Sequence, residues 1–415
     1  MMRRALIGVI LLLLSEYYSF VAIRGLLRHT SPRGRAIGIG IYLAITVLLW
    51  IFLFTFRRIP WHDMPPVLRT LAISFAIGFF LAKIIIAVVM LLGDLRRVLL
   101  WVVGYFRNKP RLHSDGTLMP RSEFVQNVAL GAGASIIGLF LWGTTNRYRY
   151  RVHRAKLRAS HIPEAFHGFK IVQLSDIHSG SFDNPEAVAA GVERALAEKP
   201  DVIFFTGDLV NNEATEIVPY KSIFARLQAP LGVYSTLGNH DYGDYVEWPS
   251  PAAKVQNLNT LKQHHADMGW KLLLNEHVYL QKGDSTIGLI GIENWGAKAG
   301  FPKYGDMRAA TAGYDLTKAP FTILLSHDPS HWEAQVRPEY PFVDLTLSGH
   351  THGMQFGIEI PGFKWSPVQY VYQQWAGLYR AARQHLYVNR GFGFLGYPGR
   401  VGILPEITVI TLEKV

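Results

Sequence analysis

The chain has 415 residues, of which 49% are hydrophobic and 18% are charged, and it contains no cysteine. The lack of cysteine excludes disulfides, iron–sulfur clusters and thiolate catalysis. The charged fraction is too low for a wholly soluble chain and too high for one that lies entirely in a membrane, so two regions in different solvents are expected.

The formal charge of +11 is unevenly distributed along the chain. Residues 1–158 contain 22 Lys and Arg against 5 Asp and Glu, a net charge of +17, whereas residues 159–415 contain 20 against 26, a net charge of −6. The basic residues of the first part flank apolar runs, which indicates membrane topology and contact with lipid headgroups. The negative second part argues against a nucleic-acid partner, because such a partner needs a basic groove.

Four apolar runs are long enough to cross a hydrocarbon core, which takes roughly 20 residues. Arginine pairs mark the ends of two of them, at Arg57–Arg58 and Arg96–Arg97, and tryptophans stand where an interfacial belt would lie. We therefore predict an all-α transmembrane region of four helices over residues 1–146, followed by a basic linker over residues 147–168. The four runs cover residues 5–23, 36–56, 67–92 and 124–143.

Glu16 and Lys83 are ionisable residues well inside these runs. An unpaired charge is costly in a bilayer, which makes a paired or functional role one interpretation. The other interpretation is that each side chain reaches the interface by snorkelling. The sequence leaves both open.

From residue 169 the pattern changes to short β-branched runs that alternate with helical stretches. This pattern is typical of an α/β fold, and it predicts one domain over residues 169–415. The predicted strands cover residues 170–174, 202–205, 233–237, 286–292, 321–325, 343–347, 386–389 and 407–412.

Polar residues follow five of these strands at the point where each strand ends. In an open α/β sheet, ligands gather beyond the carboxyl ends of the strands, so we expect the five loops to converge although they span 177 residues. In chain order the residues are Asp176 with His178, Asp208, Asn239 with His240 and Asp241, His327, and His350 with His352.

The expected cluster supplies oxygen and nitrogen ligands without sulfur, which favours Mn²⁺, Fe, Zn²⁺ or Co²⁺ over Ca²⁺ or Cu⁺. The ligands are too many for one tetrahedral ion, but they suit two ions roughly 3.5 to 4 Å apart that share a bridging carboxylate. Such a pair deprotonates a water and neutralises phosphate oxygens. The sequence therefore predicts hydrolysis of a phosphoester or phosphoanhydride bond.

These five blocks, D-x-H, G-D, G-N-H-D, H and G-H-x-H, resemble the signature of the calcineurin-like metallophosphoesterases. The segments 176–180, 349–355, 387–391 and 405–407 are most similar to its membrane-associated subgroup. The resemblance implies a four-layer αββα sandwich preceded by the transmembrane helices. One residue departs from the subgroup: Met354 stands where a second glycine usually follows the last histidine.

The resemblance also implies a role for each polar residue. His240 would be the unmetallated imidazole near the scissile phosphate, and Asp241 would orient it. Of the metal ligands, Asp176, His178 and His352 would bind one divalent ion, Asn239, His327 and His350 the other, and Asp208 would bridge the two.

Two further features each have two interpretations. Arg390 follows a late strand, where its guanidinium could bind a substrate phosphate or form a structural salt bridge. The aromatic stretch 365–379 could form an amphipathic rim that faces acyl chains or headgroups, or it could pack as an ordinary loop or hairpin.

The predicted function is that of a membrane-anchored phosphohydrolase, an integral multi-pass protein whose partners are the bilayer and a phosphorylated, lipid-linked substrate. The resemblance suggests a UDP-diacylglucosamine-like pyrophosphate or a phospholipid phosphate as that substrate. The alternative is a non-catalytic membrane sensor or accessory protein that binds metal or phosphate. Residues 120–124 resemble the remnant of a twin-arginine export signal, which implies an extracytoplasmic catalytic domain.

Overall fold

The computed structural model describes residues 2–55, 64–106, 123–298 and 300–415, and of residues 2–7 it describes the backbone alone. It divides into two compact units, Met1–Thr144 and Thr145–Val415. Two sets of residues used in the sequence analysis lie outside the described part of the chain. They are the arginine pair Arg57–Arg58 and residues 120–122 of the segment that resembles an export signal.

The first unit consists of helices α1 (Met2–Leu26), α2 (Pro32–Thr55), α3 (Pro66–Phe106) and α4 (Glu123–Gly143). All four are long and apolar enough to span a membrane, which confirms the predicted transmembrane region. Helix α3 has 41 residues and continues through Arg96 and Arg97, where the sequence predicted its end. At 1.5 Å per residue it is roughly 60 Å long, about twice the thickness of a hydrocarbon core.

Glu16 and Lys83 form an ion pair inside this unit. The ammonium of Lys83 lies 2.7 Å from each carboxylate oxygen of Glu16, and it also donates to the hydroxyl of Thr46 at 3.1 Å. The indole N–H of Trp50 donates to Glu16 at 3.1 Å. The side chain of Lys83 is only 3% exposed, so it does not reach the interface by snorkelling, and the paired interpretation holds. The contacts of this pair join α1, α2 and α3.

The second unit is an α/β domain. Its helices are α5 (Pro185–Leu196), α6 (Lys221–Phe224), α7 (Pro251–Asp267), α8 (Met307–Ala310) and α9 (Arg337–Glu339). Its strands are β1 (Arg151–Ala159), β2 (Lys170–Leu174), β3 (Val202–Thr206), β4 (Val233–Thr236), β5 (Trp270–Leu272), β6 (Glu276–Lys282), β7 (Ser285–Gly291), β8 (Thr322–Leu325), β9 (Leu345–Ser348), β10 (Ile358–Ile360), β11 (Phe363–Trp365), β12 (Gly377–Ala381), β13 (Gln384–Val388) and β14 (Glu406–Lys414).

The strands form two six-stranded mixed sheets and a separate hairpin. The first sheet has the order β1-β14-β2-β3-β4-β5, and its strands β2 to β5 run parallel. The second has the order β12-β13-β9-β8-β7-β6, with β13, β9, β8 and β7 parallel. Strands β10 and β11 pair with each other to form this hairpin.

The two sheets pack face to face. Ile171 and Phe204 of the first sheet share a buried cluster with Leu289, Ile323 and Leu345 of the second. The alternate residues of each strand point to the opposite face, where they pack against helices. On the first sheet these residues meet α5 and α7, and on the second they meet α8 and the turn at Trp332. The resulting order of layers is α/β/β/α, which confirms the predicted sandwich.

Residues 147–168, which the sequence analysis treats as a basic linker, contribute an edge strand to the first sheet. Strand β1 pairs in parallel with β14 over nine residues. Its basic side chains form ion pairs with acidic residues of the same unit. Arg154 pairs with Glu198, and Arg158 pairs with Glu413.

Candidate metal centre

The loops after β2, β3 and β4 of the first sheet and after β8 and β9 of the second converge at one end of the sandwich. The clearest link is between Asp176, which follows β2, and His350, which follows β9. The backbone N–H of His350 donates to both carboxylate oxygens of Asp176, at 2.9 and 3.0 Å. The five loops therefore meet as the sequence predicted.

The acidic and imidazole side chains form two triads. Asp176, His178 and His352 are the first, and Asp208, His327 and His350 are the second. Within each triad, one ligand atom from every residue lies within 4.8 Å of the others.

Asp208 lies between the two triads. Its Oδ2 atom is 3.1 Å from Nε2 of His327 and 3.5 Å from Nε2 of His178, which belongs to the first triad. Asp208 is therefore close to an imidazole of each triad.

Three buried imidazole nitrogens in these triads have no hydrogen-bond partner among the described residues, although each lies 3.1 to 3.5 Å from a carboxylate oxygen. They are the Nε2 atoms of His178, His327 and His352. In two of these rings the other nitrogen is held, since Nδ1 of His327 is 2.7 Å from the carbonyl of Thr206 and Nδ1 of His178 is 3.1 Å from Oδ1 of Asn211. Buried polar atoms nearly always have a partner, and this arrangement is typical of metal-binding histidines. The donor set therefore fits divalent metal ions.

Asn239 lies beside the second triad. Its Oδ1 atom is 2.8 Å from Nδ1 of His350, and its amide donates to the hydroxyl of Tyr245 at 2.9 Å. Nε2 of His350 lies 2.9 Å from the hydroxyl of Tyr372, which in turn donates to Asp328 at 3.3 Å. Sequence reasoning did not identify Tyr245 or Tyr372 as site residues, although Tyr372 lies in the aromatic stretch 365–379.

Five of the triad residues adopt left-handed backbone conformations. Their φ angles are 51° at Asp176, 49° at His178, 60° at Asp208, 71° at His350 and 49° at His352. Non-glycine residues rarely adopt positive φ, and such strain concentrates at functional sites because the surrounding structure holds it in place.

His240 lines the cavity beside the triads. Its ring centroid is 4.9 Å from that of His178, and its Nδ1 lies 2.8 Å from the carbonyl oxygen of Asn211. The cavity has a volume of about 330 Å³. Its wall includes four triad residues, His178, Asp208, His350 and His352, together with Tyr245, Phe301, Val368, Tyr372 and Leu395.

Asp241 differs from the expectation that it orients His240. Its carboxylate is fully buried and accepts the backbone N–H groups of Asp208, Leu209 and Gly238, at 2.8 to 2.9 Å. Because these bonds occupy both oxygens, Asp241 fixes the loop that carries Asp208, and the carbonyl of Asn211 holds His240 instead.

Burial and charge shift the pKa values of the triad residues in the absence of metal. Burial raises the pKa of Asp176 to about 6 and lowers that of His178 to about 3. Burial would also lower the pKa of His327, but the charges of Asp208 and Asp176 and the carbonyl of Thr206 together outweigh it and raise this pKa to about 10. Burial would raise the pKa of Asp208, but the nearby imidazoles of His327, His240 and His178 together hold it well below its ordinary range.

Comparison with known proteins agrees with this geometry. The family model "Probable Calcineurin-like phosphoesterase, transmembrane domain" matches residues 2–147, and the model "Calcineurin-like phosphoesterase" matches residues 169–354. An uncharacterized metallophosphoesterase of Bacillus subtilis is 32% identical over 315 residues, which cover 71% of this chain and 98% of that relative. The chain belongs to the calcineurin-like metallophosphoesterase family.

Two further relatives of this metallophosphoesterase are informative. A "Transmembrane protein with metallophosphoesterase domain" of Danio rerio is 31% identical over 262 residues, which cover 61% of this chain and 55% of that relative. This chain thus spans about half the length of the fish protein. A UDP-2,3-diacylglucosamine pyrophosphatase of Chlamydia trachomatis is 27% identical over 321 residues, which cover 64% of this chain and 93% of that protein.

Two buried arginines of the metallophosphoesterase unit have structural contacts. Arg390 is 3% exposed and forms ion pairs of 2.5 Å with Glu406 and with Glu359. These contacts agree with the structural salt bridge, one of the two interpretations of this residue. Arg400, which the sequence did not single out, donates to the carbonyl of Arg390 at 2.7 Å, and its Nη2 lies 3.3 Å from Nδ1 of His352. Arg400 therefore helps to position a triad imidazole.

Proposed function

We propose that this metallophosphoesterase holds two divalent metal ions and hydrolyses a phosphoester or pyrophosphate bond of a lipid-linked substrate. Asp176, His178 and His352 would hold one ion, Asn239, His327 and His350 the other, and Asp208 would bridge. One observation carries this proposal. The buried Nε2 atoms of His178, His327 and His352 lie next to the carboxylates of Asp176 and Asp208, and among the described residues these three nitrogens have no hydrogen-bond partner. The donor set suits Mn²⁺, Fe, Zn²⁺ or Co²⁺, as its nitrogen and oxygen atoms indicate.

Two such ions, when bound, supply an activated water and neutralise the charge of the phosphate. The chain's own residues provide the remaining functions. His240 donates its Nδ1 proton to the carbonyl of Asn211, so its Nε2 is the nitrogen available to a substrate. A protonated His240 would stabilise the leaving oxygen and transfer a proton to it.

Asp241 supports this arrangement indirectly. By accepting the N–H groups of Asp208 and Leu209, it holds the turn that presents Asp208 to both triads. Tyr372 and Asn239 fix both nitrogens of the His350 ring in the metal-free protein, which sets the orientation of that ring.

The lipid-linked character of the substrate rests on two observations. Four candidate membrane spans precede the catalytic unit, so the enzyme operates next to a bilayer. The chlamydial relative, which aligns over most of its own length, is named for a diacylated sugar nucleotide. We infer a membrane-resident phosphate or pyrophosphate ester as the substrate class, with the domain over 169–415 catalysing its hydrolysis on the extracytoplasmic side.

The test is turnover by the purified full-length protein in detergent, after chelation and reloading with Mn²⁺. We expect hydrolysis of a generic aryl phosphate ester and faster hydrolysis of a lipid phosphate or a diacylated sugar-nucleotide pyrophosphate. Asp208→Asn should eliminate both activities. Metal binding without turnover of any of these substrates would instead support the sensor or accessory role. Protease accessibility of the catalytic unit in intact spheroplasts tests its side of the membrane.

A further inference from the structure

The hairpin formed by β10 and β11 has its polar and apolar faces reversed relative to a soluble protein. Ile358 pairs with Trp365, and Ile360 pairs with Phe363, so these four apolar side chains share one face. We call this set the hairpin face. Ile358, Ile360 and Phe363 are 49%, 58% and 52% exposed. An apolar face that points to water is unusual in a two-stranded sheet, because the apolar side normally packs on the core.

The opposite side of the hairpin carries its charged residues, and these contact the domain. Glu359 pairs with the buried guanidinium of Arg390 at 2.5 Å. Lys364 donates to the carbonyl of Ala376 and lies over the ring of Tyr379, 4.7 Å from the centroid. Since both charged side chains are held by contacts with the domain, the orientation of the hairpin is fixed, and the exposure of its apolar face follows from these contacts.

The hairpin face belongs to a larger concentration of exposed apolar residues. Among the described residues from Thr145 to Val415, fourteen large apolar side chains are exposed, and seven of these lie between Met354 and Leu378. Tyr370 is 78% exposed, and its hydroxyl lies 3.4 Å from the indole nitrogen of Trp365. Met354, which stands where the subgroup usually has glycine, is 58% exposed and adopts a φ of 54°.

This surface borders the metal cavity. The turn Pro367–Tyr370 directly follows β11, and its Val368 lines the cavity together with Tyr372. Tyr372 in turn contacts His350 of the second triad at 2.9 Å. A single turn therefore separates the exposed apolar surface from the wall of the site.

We propose that the hairpin face inserts into the headgroup region of a lipid bilayer and thereby delivers membrane-resident substrate to the metal cavity. Four candidate membrane spans in the same chain keep this unit close to a bilayer. Trp365 and Tyr370 are of the residue types enriched at membrane interfaces.

The size of the hairpin also favours lipid over a protein partner. Two strands of three residues cover roughly 10 by 10 Å, given about 3.3 Å per residue and about 4.8 Å between strands. A stable protein interface needs about 800 Å² on each partner, which is several times this area. Insertion into an interface has no such minimum, because each buried apolar side chain contributes on its own.

The first test uses the absence of cysteine in the native chain. Ile360→Cys carries an environment-sensitive fluorophore, and the full-length protein is placed in nanodiscs with or without spin-labelled phospholipid. The control is Leu316→Cys, an equally exposed apolar position of the same unit at 50%. We expect strong quenching and a blue-shifted emission at position 360 and neither at position 316. Equal quenching at the two positions would overturn the proposal. So would disulfide formation between two copies of the unlabelled Ile360→Cys variant, if the labelled variant shows no quenching.

The second test rests on the proposed function. The double variant Ile360→Asp with Phe363→Asp should hydrolyse a lipid phosphate in vesicles about tenfold more slowly, while its activity on a soluble aryl phosphate stays unchanged. Leu316→Asp should change neither activity. Equal loss of both activities in the double variant would contradict insertion of the hairpin face. If the unaltered chain shows no turnover at all, the proposed hydrolase function fails, and the fluorescence experiment alone tests insertion. Failure of the one proposal can therefore be distinguished from failure of the other.

Discussion

The backbone N–H of His350 donates to both carboxylate oxygens of Asp176, although the two residues are 174 positions apart. This contact joins the second sheet to the first at the metal centre, because His350 follows β9 and Asp176 follows β2. It also holds the carboxylate of one triad against the backbone of the other. The geometry of both triads therefore depends on the two sheets packing in their observed register.

Metal uptake should depend on pH. In the metal-free protein, the pKa of Asp176 is raised to about 6 by burial, and that of His327 is raised to about 10 by Asp208, Asp176 and the carbonyl of Thr206. A bound metal needs an ionised Asp176 and a neutral His327, so protons compete with it. We expect the affinity for Mn²⁺ to rise from pH 5 to pH 8, and we expect binding at pH 8 to release a proton. Calorimetry in buffers of different ionisation enthalpy measures both, and a pH-independent affinity would contradict this assignment.

Replacement of His240 should separate catalysis from metal binding. His240 lines the cavity but belongs to neither triad. We expect His240→Ala to lower kcat on an alkyl phosphate ester by about 10²-fold or more, with the metal content unchanged. A substrate with a good leaving group should be affected less, since it needs no proton. Equal losses for the two substrates would show that His240 does not protonate the leaving group.

Arg390 should matter for stability rather than for substrate affinity. Arg390→Met leaves the buried Glu406 and the partly buried Glu359 without their partner. Breaking a buried pair from one side costs about 3–5 kcal/mol, which denaturant unfolding followed by tryptophan fluorescence would detect. KM for an aryl phosphate should stay the same in the fraction that remains folded. A raised KM with unchanged stability would favour the phosphate-binding interpretation.

The ion pair of Arg390 and Glu406 should also make the free energy of unfolding decrease at low pH. Burial would raise the pKa of Glu406, but the charge of Arg390, together with His153 and the hydroxyls of Thr408 and Tyr387, outweighs it and lowers this pKa to about 2. The pKa of a glutamate in the unfolded chain is near 4.3. A carboxylate whose pKa is lower in the folded protein stabilises the fold above that pH, and this stabilisation is lost as the pH falls towards 2. In Arg390→Met this contribution should be absent, so unfolding free energies of the native chain and the variant should converge below pH 4. Parallel curves over this range would contradict the assignment.

The pair of Glu16 and Lys83 should be important as a pair. Lys83→Met leaves the carboxylate of Glu16 inside the helical unit without its cation, while the N–H of Trp50 still donates to it. We expect this variant to be strongly destabilised in detergent, whereas the double variant with Glu16→Gln should recover much of the loss. Thermal aggregation of the full-length protein compares the three chains. Additive losses in the double variant would show that the two residues do not depend on each other.

The sequence identified the triad residues because each of them follows a strand. The predicted first strand, 170–174, coincides with β2, and the polar residues after the five strands converge. The roles of Tyr372 and Arg400 could not be predicted in this way, since both lie in irregular segments and reach the site through tertiary packing. The partner of His240 was wrongly predicted, because a backbone carbonyl leaves no signal in the residue pattern.

Edge elements were also difficult to predict. Strand β1 reads as a basic linker because its basic side chains point towards solvent, and only its pairing with β14 shows that it is a strand. Helix α3 continues to Phe106 although an arginine pair usually marks the end of a span. The reversed polarity of the β10–β11 hairpin depends on Arg390 and Ala376, which lie outside the hairpin.

The most direct test of the dinuclear centre is electron paramagnetic resonance of the Mn²⁺-loaded full-length protein, combined with elemental analysis of the same sample. We predict two ions per chain with a spectrum of two magnetically coupled Mn²⁺ ions, and loss of the coupling in Asp208→Asn. One uncoupled ion per chain under metal-replete conditions, or coupling that persists in Asp208→Asn, would contradict the account.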